Sequence, residues 1–384
     1  MKRSTQRILT THVGSLARPH PLLDTMREKE HGRPYDPDLF ARQVREAVAE
    51  VVRRQAEAGI DVVTDGEMGK VNFITYVKDR LAGFTPDEGP SRMAPSWQKE
   101  VDDFPEYYAQ YFKKYASTVS PLRRLICDGS ISYVGEEALA TDIANLKAAV
   151  AGLDVEEVFM PSTGPSGFGA NAHYASDDEY LEAVAEAMRQ EYLGIVEAGL
   201  VLQVDDPWLI DTLSDPTMEP EARQRTAARH VEVLNHALRG IPSENIRHHT
   251  CYGLNHGPRM NDIPMREVVG LMLSINAGAH SFEVANPRHY HEWALWQDVK
   301  LPEGKILVPG FLGHANNYVE HPEMIAEYIV RYAELVGREN VIAGADCGFS
   351  SRASYAPEVH PTVVWPKFHA LAEGAALATK QLWG

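Results

Sequence analysis

Three times along the chain a helical stretch runs into Ala-Gly and then into a short apolar segment that ends in an acidic residue. The segments are RRQAEAGIDVVTDGE at 53 to 67, GIVEAGLVLQVDDP at 194 to 207 and, more weakly, SINAGAHSFEVANP at 274 to 287. A helix that stops and turns directly into a strand packs back against it, and repetition of that unit builds a parallel sheet. Gly59, Gly199 and Gly278 stand where such a helix would end in a left-handed cap. Segments of matching character are ILTTHVG (8 to 14), IDVVTDG (60 to 66), EEVFMPST (156 to 163), LVLQVDD (200 to 206), IRHHTCYG (246 to 253), HSFEVAN (280 to 286), ILVPGFLG (306 to 313) and VIAGADCG (341 to 348). Eight strands alternating with helices predict an α/β fold of the (β/α)8 TIM barrel type, spanning 1 to 384 as one catalytic barrel.

The helices carry their own signatures. Val44, Ala47, Val48, Val51 and Val52 recur at helical spacing, and Ser176 with Glu179 forms a capping box ahead of Tyr180, Leu181, Val184 and Met188. One stretch breaks the repeat. From about 85 to 135 the chain runs through DEGPSRMAPSW, the aromatic-rich FPEYYAQYFKKYAS and the β-like LICDGSISYVG. It reads as an insertion after the second strand, a lid or an interface element, and is too short for a good core of its own.

Charge narrows the partners. The chain holds 54 acidic against 37 basic residues, a formal charge of -17, which disfavours nucleic acid or an anionic membrane and leaves a small molecule as the expected partner. The N-terminus has no apolar stretch of signal-peptide length and no later run approaches a membrane span, so the expected location is the cytoplasm. Three widely separated cysteines, Cys127, Cys251 and Cys347, do not suggest a disulfide framework and leave thiols for a metal or for chemistry.

The polar residues at the ends of the proposed strands are His12 and Ser15, Asp65 and Glu67, Asp205 and Asp206, His249 and Cys251, Glu283, His314, and Asp346 with Cys347. In a barrel these ends form the active-site rim. His-x-Cys on a strand sends both side chains to one face, because strand side chains alternate. His249, Cys251, Glu283 and Cys347 come from three strands and offer N, S, O and S donors, a set suited to zinc. The same positions are also compatible with small buried cysteines and a capping glutamate. His248 and the HYH run at 289 to 291 are rival ligands, for which outer roles are expected.

TTHVGSLARP (10 to 19), VVTDGE (62 to 67), LQVDDP (202 to 207), HTCYG (249 to 253), the glutamate of SFEVAN, the histidine of VPGFLGH and ADCG (345 to 348), in this order, resemble the catalytic barrel of cobalamin-independent methionine synthase. The resemblance spans nearly the whole chain. It implies a zinc ion held by His249, Cys251, Glu283 and Cys347, and a homocysteine-binding segment at Val13, Gly14 and Ser15. It also implies amino-acid-binding carboxylates at Glu67 and Asp205, and a proton-donating histidine at His314. The implied activity is a zinc-dependent methyl or alkyl transfer to a thiol, with homocysteine as acceptor.

Three departures bear on the donor. The family's full-length enzymes have a further N-terminal barrel that this sequence lacks. After its third strand the family has a tryptophan that stacks on the pterin, whereas STGPSGFGANAHY (162 to 174) has none, leaving Phe168 as a substitute and Asn171 near the place. DDPWLID offers Asp211 where the family has a glutamate. A methyltetrahydrofolate-type donor, a corrinoid donor or its carrier protein, and thiol addition to an epoxide as in the epoxyalkane:coenzyme M transferases all remain open. In the last case Arg18 would hold a sulfonate. A closed, purely structural zinc barrel is the non-catalytic alternative, and a homo-oligomer is compatible with any of these.

Overall fold

A computed structural model of the chain describes residues 1–87, 89, 93–114, 118–120, 125–253 and 256–384. Its strands, in chain order, are β1 (Leu9–Thr10), β2 (Val62–Val63), β3 (Leu81–Pro86), β4 (Leu125–Tyr133), β5 (Glu157–Thr163), β6 (Gly169–Asn171), β7 (Val201–Asp206), β8 (Ile246–Thr250), β9 (Ala279–Glu283), β10 (Ile306–Leu312) and β11 (Ile342–Ala345). Eight of them form one sheet in the order β1-β11-β10-β9-β8-β7-β5-β2. All its pairings are parallel, and a bridge between Thr11 and Val62 brings its two edges together. The predicted (β/α)8 barrel is therefore present, with all eight expected strands in place. β1 and β2 are only two residues long because the polar segments beyond them leave the sheet to form the rim.

Alternation along each strand separates the two faces. On β7, Leu202 and Val204 join the main apolar core toward the helices, whereas Val201 packs with Val62 and Phe159 in a separate cluster. Gln203 and Asp205 share the Val201 face by the period of two. Arg247 on β8 continues this inner layer. Its guanidinium donates to Gln203 Oε1 (2.7 Å), Thr11 Oγ1 (2.9 Å) and the His12 carbonyl (2.9 Å), and stacks 3.8 Å from the centre of the Phe159 ring. Burial pushes its pKa down to about 9. An apolar floor thus gives way to a hydrogen-bonded polar middle, above which the rim lies.

Helix Pro37–Glu57 buries Val44, Ala47, Val48, Val51 and Val52, the residues its periodicity singled out. Burying each valine contributes roughly 1.5 to 3 kcal/mol before chain entropy is charged against it. Ser176 caps helix Asp177–Glu197 by accepting from Glu179 N at 3.2 Å. Gly59 and Gly199 adopt the expected left-handed conformation, with φ of 82° and 80°. Gly278 does not, and helix Met265–Ser274 ends before it. Glycine is needed there for a different reason: a Cβ would lie 2.7 Å from the Ser243 carbonyl oxygen.

The excursion after β2 begins at Leu81 rather than 85. Antiparallel β3 and β4, with β6 beside β4, make a second small sheet, and helices Pro95–Asp103 and Pro105–Lys114 lie between β3 and β4 in the chain. Parts of the expected 85 to 135 insertion, residues 88, 90–92, 115–117 and 121–124, lie outside the described residues. Among the described residues no helix is long and apolar enough to cross a membrane.

Candidate metal and substrate site at the barrel mouth

Strand register sets the rim. Asp205 lies opposite His249, His249 opposite Ser281, and Glu283 opposite Gly310. Cys251 stands one residue past the end of β8, and its N–H still donates to the Asp206 carbonyl at 3.3 Å, so the alternation carries on to it. Donor atoms of His249, Cys251 and Cys347 lie within 4.8 Å of one another, and the two sulfurs are 3.5 Å apart. Glu283 falls in an adjoining group with His314 and Asp346, again within 4.8 Å. All six residues are buried.

These donors fit a divalent, borderline-soft cation. His249 Nδ1 is engaged by Ser281 Oγ at 3.3 Å, and the other ring nitrogen, Nε2, is buried without a hydrogen-bond partner. Glu283 Oε1 is buried and unpartnered as well. Buried polar atoms normally find partners, and two left over beside a pair of thiols are the arrangement a metal ion satisfies. Burial, then the neighbouring His248, Arg247 and His314, hold the His249 imidazole well below its ordinary pKa, in the neutral form a metal requires. The hydrogen bond with Cys251 and burial push the Cys347 thiol well up, a preference that a bound cation reverses.

His248 points the other way. Its Nε2 meets Asp206 Oδ2 at 3.2 Å and its Nδ1 meets Thr250 Oγ1 at 3.3 Å, on the outer face of the barrel. His289 is bound to Asp262 (3.1 Å) and Glu292 (2.9 Å), and against the effect of burial these two hydrogen bonds push its pKa up to about 9. His291 is exposed. His12 is also removed from the rim chemistry, with Nε2 on Gln55 Oε1 at 2.8 Å.

Beside the metal cluster, the loop after β1 approaches two buried carboxylates. Gly14 has φ of 141°, and a Cβ there would lie 2.9 Å from Pro161 Cγ and 3.1 Å from Glu67 Oε1, so the backbone passes directly over Glu67. The Val13 carbonyl accepts from Gln203 Nε2, and Ser15 Oγ meets Ser351 Oγ at 3.2 Å. Glu67 itself has φ of 57°, a strained conformation for a non-glycine residue of the kind found at functional sites. Its Oε2 is buried and unpartnered. Asp205 Oδ1 accepts from Gln203 Nε2 at 2.8 Å. Burial raises the pKa of both acids; Glu67 raises Asp205 further, and Lys70 works against the rise at each. The two acids are thus buried side by side, each disfavoured in its charged form and each feeling the Lys70 ammonium.

Both terminal nitrogens of Arg18 are taken by backbone carbonyls, while its Nε is buried without a partner. Its Nη atoms donate to the carbonyls of Leu16 (3.1 Å), Glu67 (2.8 Å), Lys70 (2.9 Å) and Ser350, and it is 3% exposed. Its role is to lock the strained Glu67 turn in place. His314 is 1% exposed; burial lowers its pKa and the nearby Glu283 raises it.

A cleft of 1150 Å³ opens from Cys251 and Arg259 toward Trp97, Phe112, Phe168 and Trp208. Trp208, which the strand-end reading passed over, packs flat on Gly167. At that glycine φ is 75°, and a Cβ would lie 2.5 Å from the indole ring. Phe168 lines the cleft but is 2% exposed. Asn171 is turned away, holding its own turn through Nδ2 to the carbonyls of Tyr174 (3.0 Å) and Ser176 (3.2 Å). Asp211 lines the cleft too. The insertion closes on the loop after β8: Glu100 Oε1 accepts from Arg259 N (3.1 Å) and Tyr108 Oη (2.5 Å), and Tyr107 Oη donates to the His256 carbonyl (2.6 Å).

The family model for the catalytic domain of cobalamin-independent synthases matches residues 8–118. A methionine synthase of Saccharolobus islandicus (strain L.S.2.15 / Lassen #1) is 24% identical over 380 residues, covering 97% of this chain and 95% of that protein. One from Sulfolobus acidocaldarius is 24% identical over 345 residues, 88% of this chain and 85% of that protein. Among solved structures, the B12-independent methionine synthase of Shewanella sp. W3-18-1, in complex with selenomethionine, superposes with a TM-score of 0.72 at 19% identity, covering 98% of this chain and 99% of that one. The solved structure carries the fold, and the relatives matched along their length carry the sequence likeness. The chain is thus similar over residues 8–118 to the catalytic domain of cobalamin-independent synthases, and along nearly its whole length to methionine synthases.

Proposed function

We propose that this protein is a zinc-dependent methyltransferase that methylates the thiol of homocysteine to give methionine. The observation that carries the reading is the convergence of His249, Cys251 and Cys347 at the rim that also holds the buried carboxylates Glu67 and Asp205. His249 Nε2, the two sulfurs and Glu283 Oε1 would hold the metal. When bound, zinc keeps a coordinated thiol deprotonated and nucleophilic at neutral pH.

The protein's own groups set the rest. Glu67 and Asp205 pair with the α-ammonium of the acceptor, which relieves their mutual repulsion and orients the thiol. Val13, Gly14 and Ser15 bring backbone close enough to confine the amino acid against Glu67. Burial of the rim excludes water from the reacting sulfur. His314 offers its ring N–H to the departing group, and Glu283 stabilises any positive charge on that ring. The cleft walled by Trp208, Trp97 and Phe112 receives the donor, a methyltetrahydrofolate-type molecule or a methylated corrinoid.

Epoxide opening by coenzyme M is less well supported, because Arg18 is 3% exposed and both its terminal nitrogens are held by backbone carbonyls. The test is methionine formation by zinc-loaded protein from homocysteine with methyltetrahydrofolate and, separately, with methylcobalamin. Turnover with either donor that is lost on chelation supports the reading. Stoichiometric zinc with no methionine from either donor, and no change at the metal on adding homocysteine, would overturn it.

A further inference from the structure

Arg259 lies in the loop after β8 with φ of 57° and 5% exposure. A left-handed conformation costs a residue with a side chain roughly 1 to 2 kcal/mol, so contacts must hold it. Its N–H donates to Glu100 Oε1 (3.1 Å), its Nε to Asp262 Oδ2 (2.8 Å), and its Nη2 both to the Tyr252 carbonyl (3.0 Å) and to Glu283 Oε2 (3.4 Å). Asp262 is fixed from behind by His289, and His289 by Glu292. A continuous string of charged groups therefore ends on one oxygen of the carboxylate expected to bind the metal.

That oxygen is doubly occupied, since Asn286 Nδ2 also donates to Glu283 Oε2 at 3.1 Å, while Oε1 is buried with no partner. Charge counting gives the pairing a purpose. Two thiolates, a neutral imidazole and a carboxylate around a divalent ion leave one net negative charge, and burying it uncompensated is costly. Arg259 places a positive charge beside that carboxylate, one it shares with Asp262. If an acceptor thiolate adds a further negative charge, the group best able to give way is the one that already has a cation beside it.

We propose that Arg259 is a positioning residue that makes Glu283 the exchangeable ligand: it occupies Oε2, leaves Oε1 as the single oxygen offered to the metal, and keeps the carboxylate paired when the acceptor thiol binds. Glu100, from the insertion helix Pro95–Asp103, holds Arg259 in place and so links the insertion to the metal site. This rests on the thiol-activation reading above.

Cobalt(II)-loaded protein titrated with homocysteine, followed through its visible ligand-field and sulfur-to-cobalt bands, tests it. In Arg259→Met the apparent thiol affinity is expected to fall about tenfold or more, with cobalt still bound at one equivalent, and Arg259→Lys should recover part of the loss. Glu100→Gln should shift it in the same direction by less. Should Arg259→Met fail to fold, Arg259→Gln, which keeps a donor but no charge, carries the same expectation. Unchanged thiol titration in cobalt-loaded Arg259→Met or Arg259→Gln, beside a responding wild type, overturns the role of Arg259 alone. A wild-type spectrum that ignores homocysteine overturns the thiol-activation reading and the role of Arg259 with it.

Discussion

Replacing Glu67 by glutamine separates recognition of the acceptor from integrity of the fold. Glu67 Oε2 is buried without a partner, and Asp205 is the second carboxylate of the pair. On the proposed reading an ammonium bound there would make a charge-assisted hydrogen bond to Glu67, and such bonds contribute about 1.5 to 3 kcal/mol net. The loss corresponds to a rise in the homocysteine KM of roughly 10- to 150-fold. The ammonium is remote from the sulfur and is held alike before and during transfer, so kcat should change little. Steady-state kinetics in both thiol concentration and donor concentration read this split. A second arm uses the same thiol without its amine, on which wild type and Glu67→Gln should be nearly equal. Because Glu67 is a buried acid whose carboxylate is disfavoured in the folded state, the variant should be no less stable in urea. A homocysteine KM unchanged by the substitution, or a loss confined to kcat, would refute an amine-recognising role for Glu67.

Four further outcomes follow from the geometry. The folded-state pKa of Asp205 lies above its unfolded value, so the native protein holds extra protons in that window; unfolding free energy contributed by this group falls as pH rises from about 4 through the raised pKa, and Asp205→Asn should be stabilised relative to wild type more at pH 8 than at pH 5 in urea titrations. Cys251→Ser or Cys347→Ser should lose bound zinc by elemental analysis; either variant with full zinc content and activity would remove the metal assignment. Gly167→Ala places a Cβ 2.5 Å from the Trp208 ring at a φ of 75°, and the indole must swing toward the cleft. Its expected signature is a loss of roughly 1 to 3 kcal/mol in unfolding and a raised donor KM with the homocysteine KM unchanged. Lys367→Met leaves Glu320 buried without the ammonium that now sits 2.8 Å away, at a cost of about 3 to 5 kcal/mol, much of which Lys367→Met combined with Glu320→Leu should restore.

Local pattern carried the architecture. Each of the eight strands was legible because apolar runs ending in polar residues alternate with helices whose valines repeat at helical spacing, and that periodicity reports burial directly. His249 and Cys251 were legible for the same reason, and Cys347 because strand ends of a barrel converge on one rim. What periodicity could not show was where long side chains end. Arg18 read as a free cation, yet its two terminal nitrogens are held by four backbone carbonyls, three of them from other loops. Arg259 lies in a loop, where a left-handed backbone held by Glu100, 159 residues away, decides its direction. Trp208 follows a strand end in DDPW, a signal that was present, but its stacking depends on Gly167 from a different loop. Gly278 looked like the caps at Gly59 and Gly199 and turned out to be required by the approach of the Ser243 carbonyl.

The central claim is that the rim binds a metal whose coordination opens to an amino-thiol. Zinc-edge X-ray absorption on the purified protein, alone and with homocysteine, reads the ligands directly. The expected result is a site of two sulfurs with nitrogen and oxygen, from Cys251, Cys347, His249 and Glu283, that gains a third sulfur when homocysteine is added. A bound zinc whose sulfur count does not change with homocysteine would contradict the account.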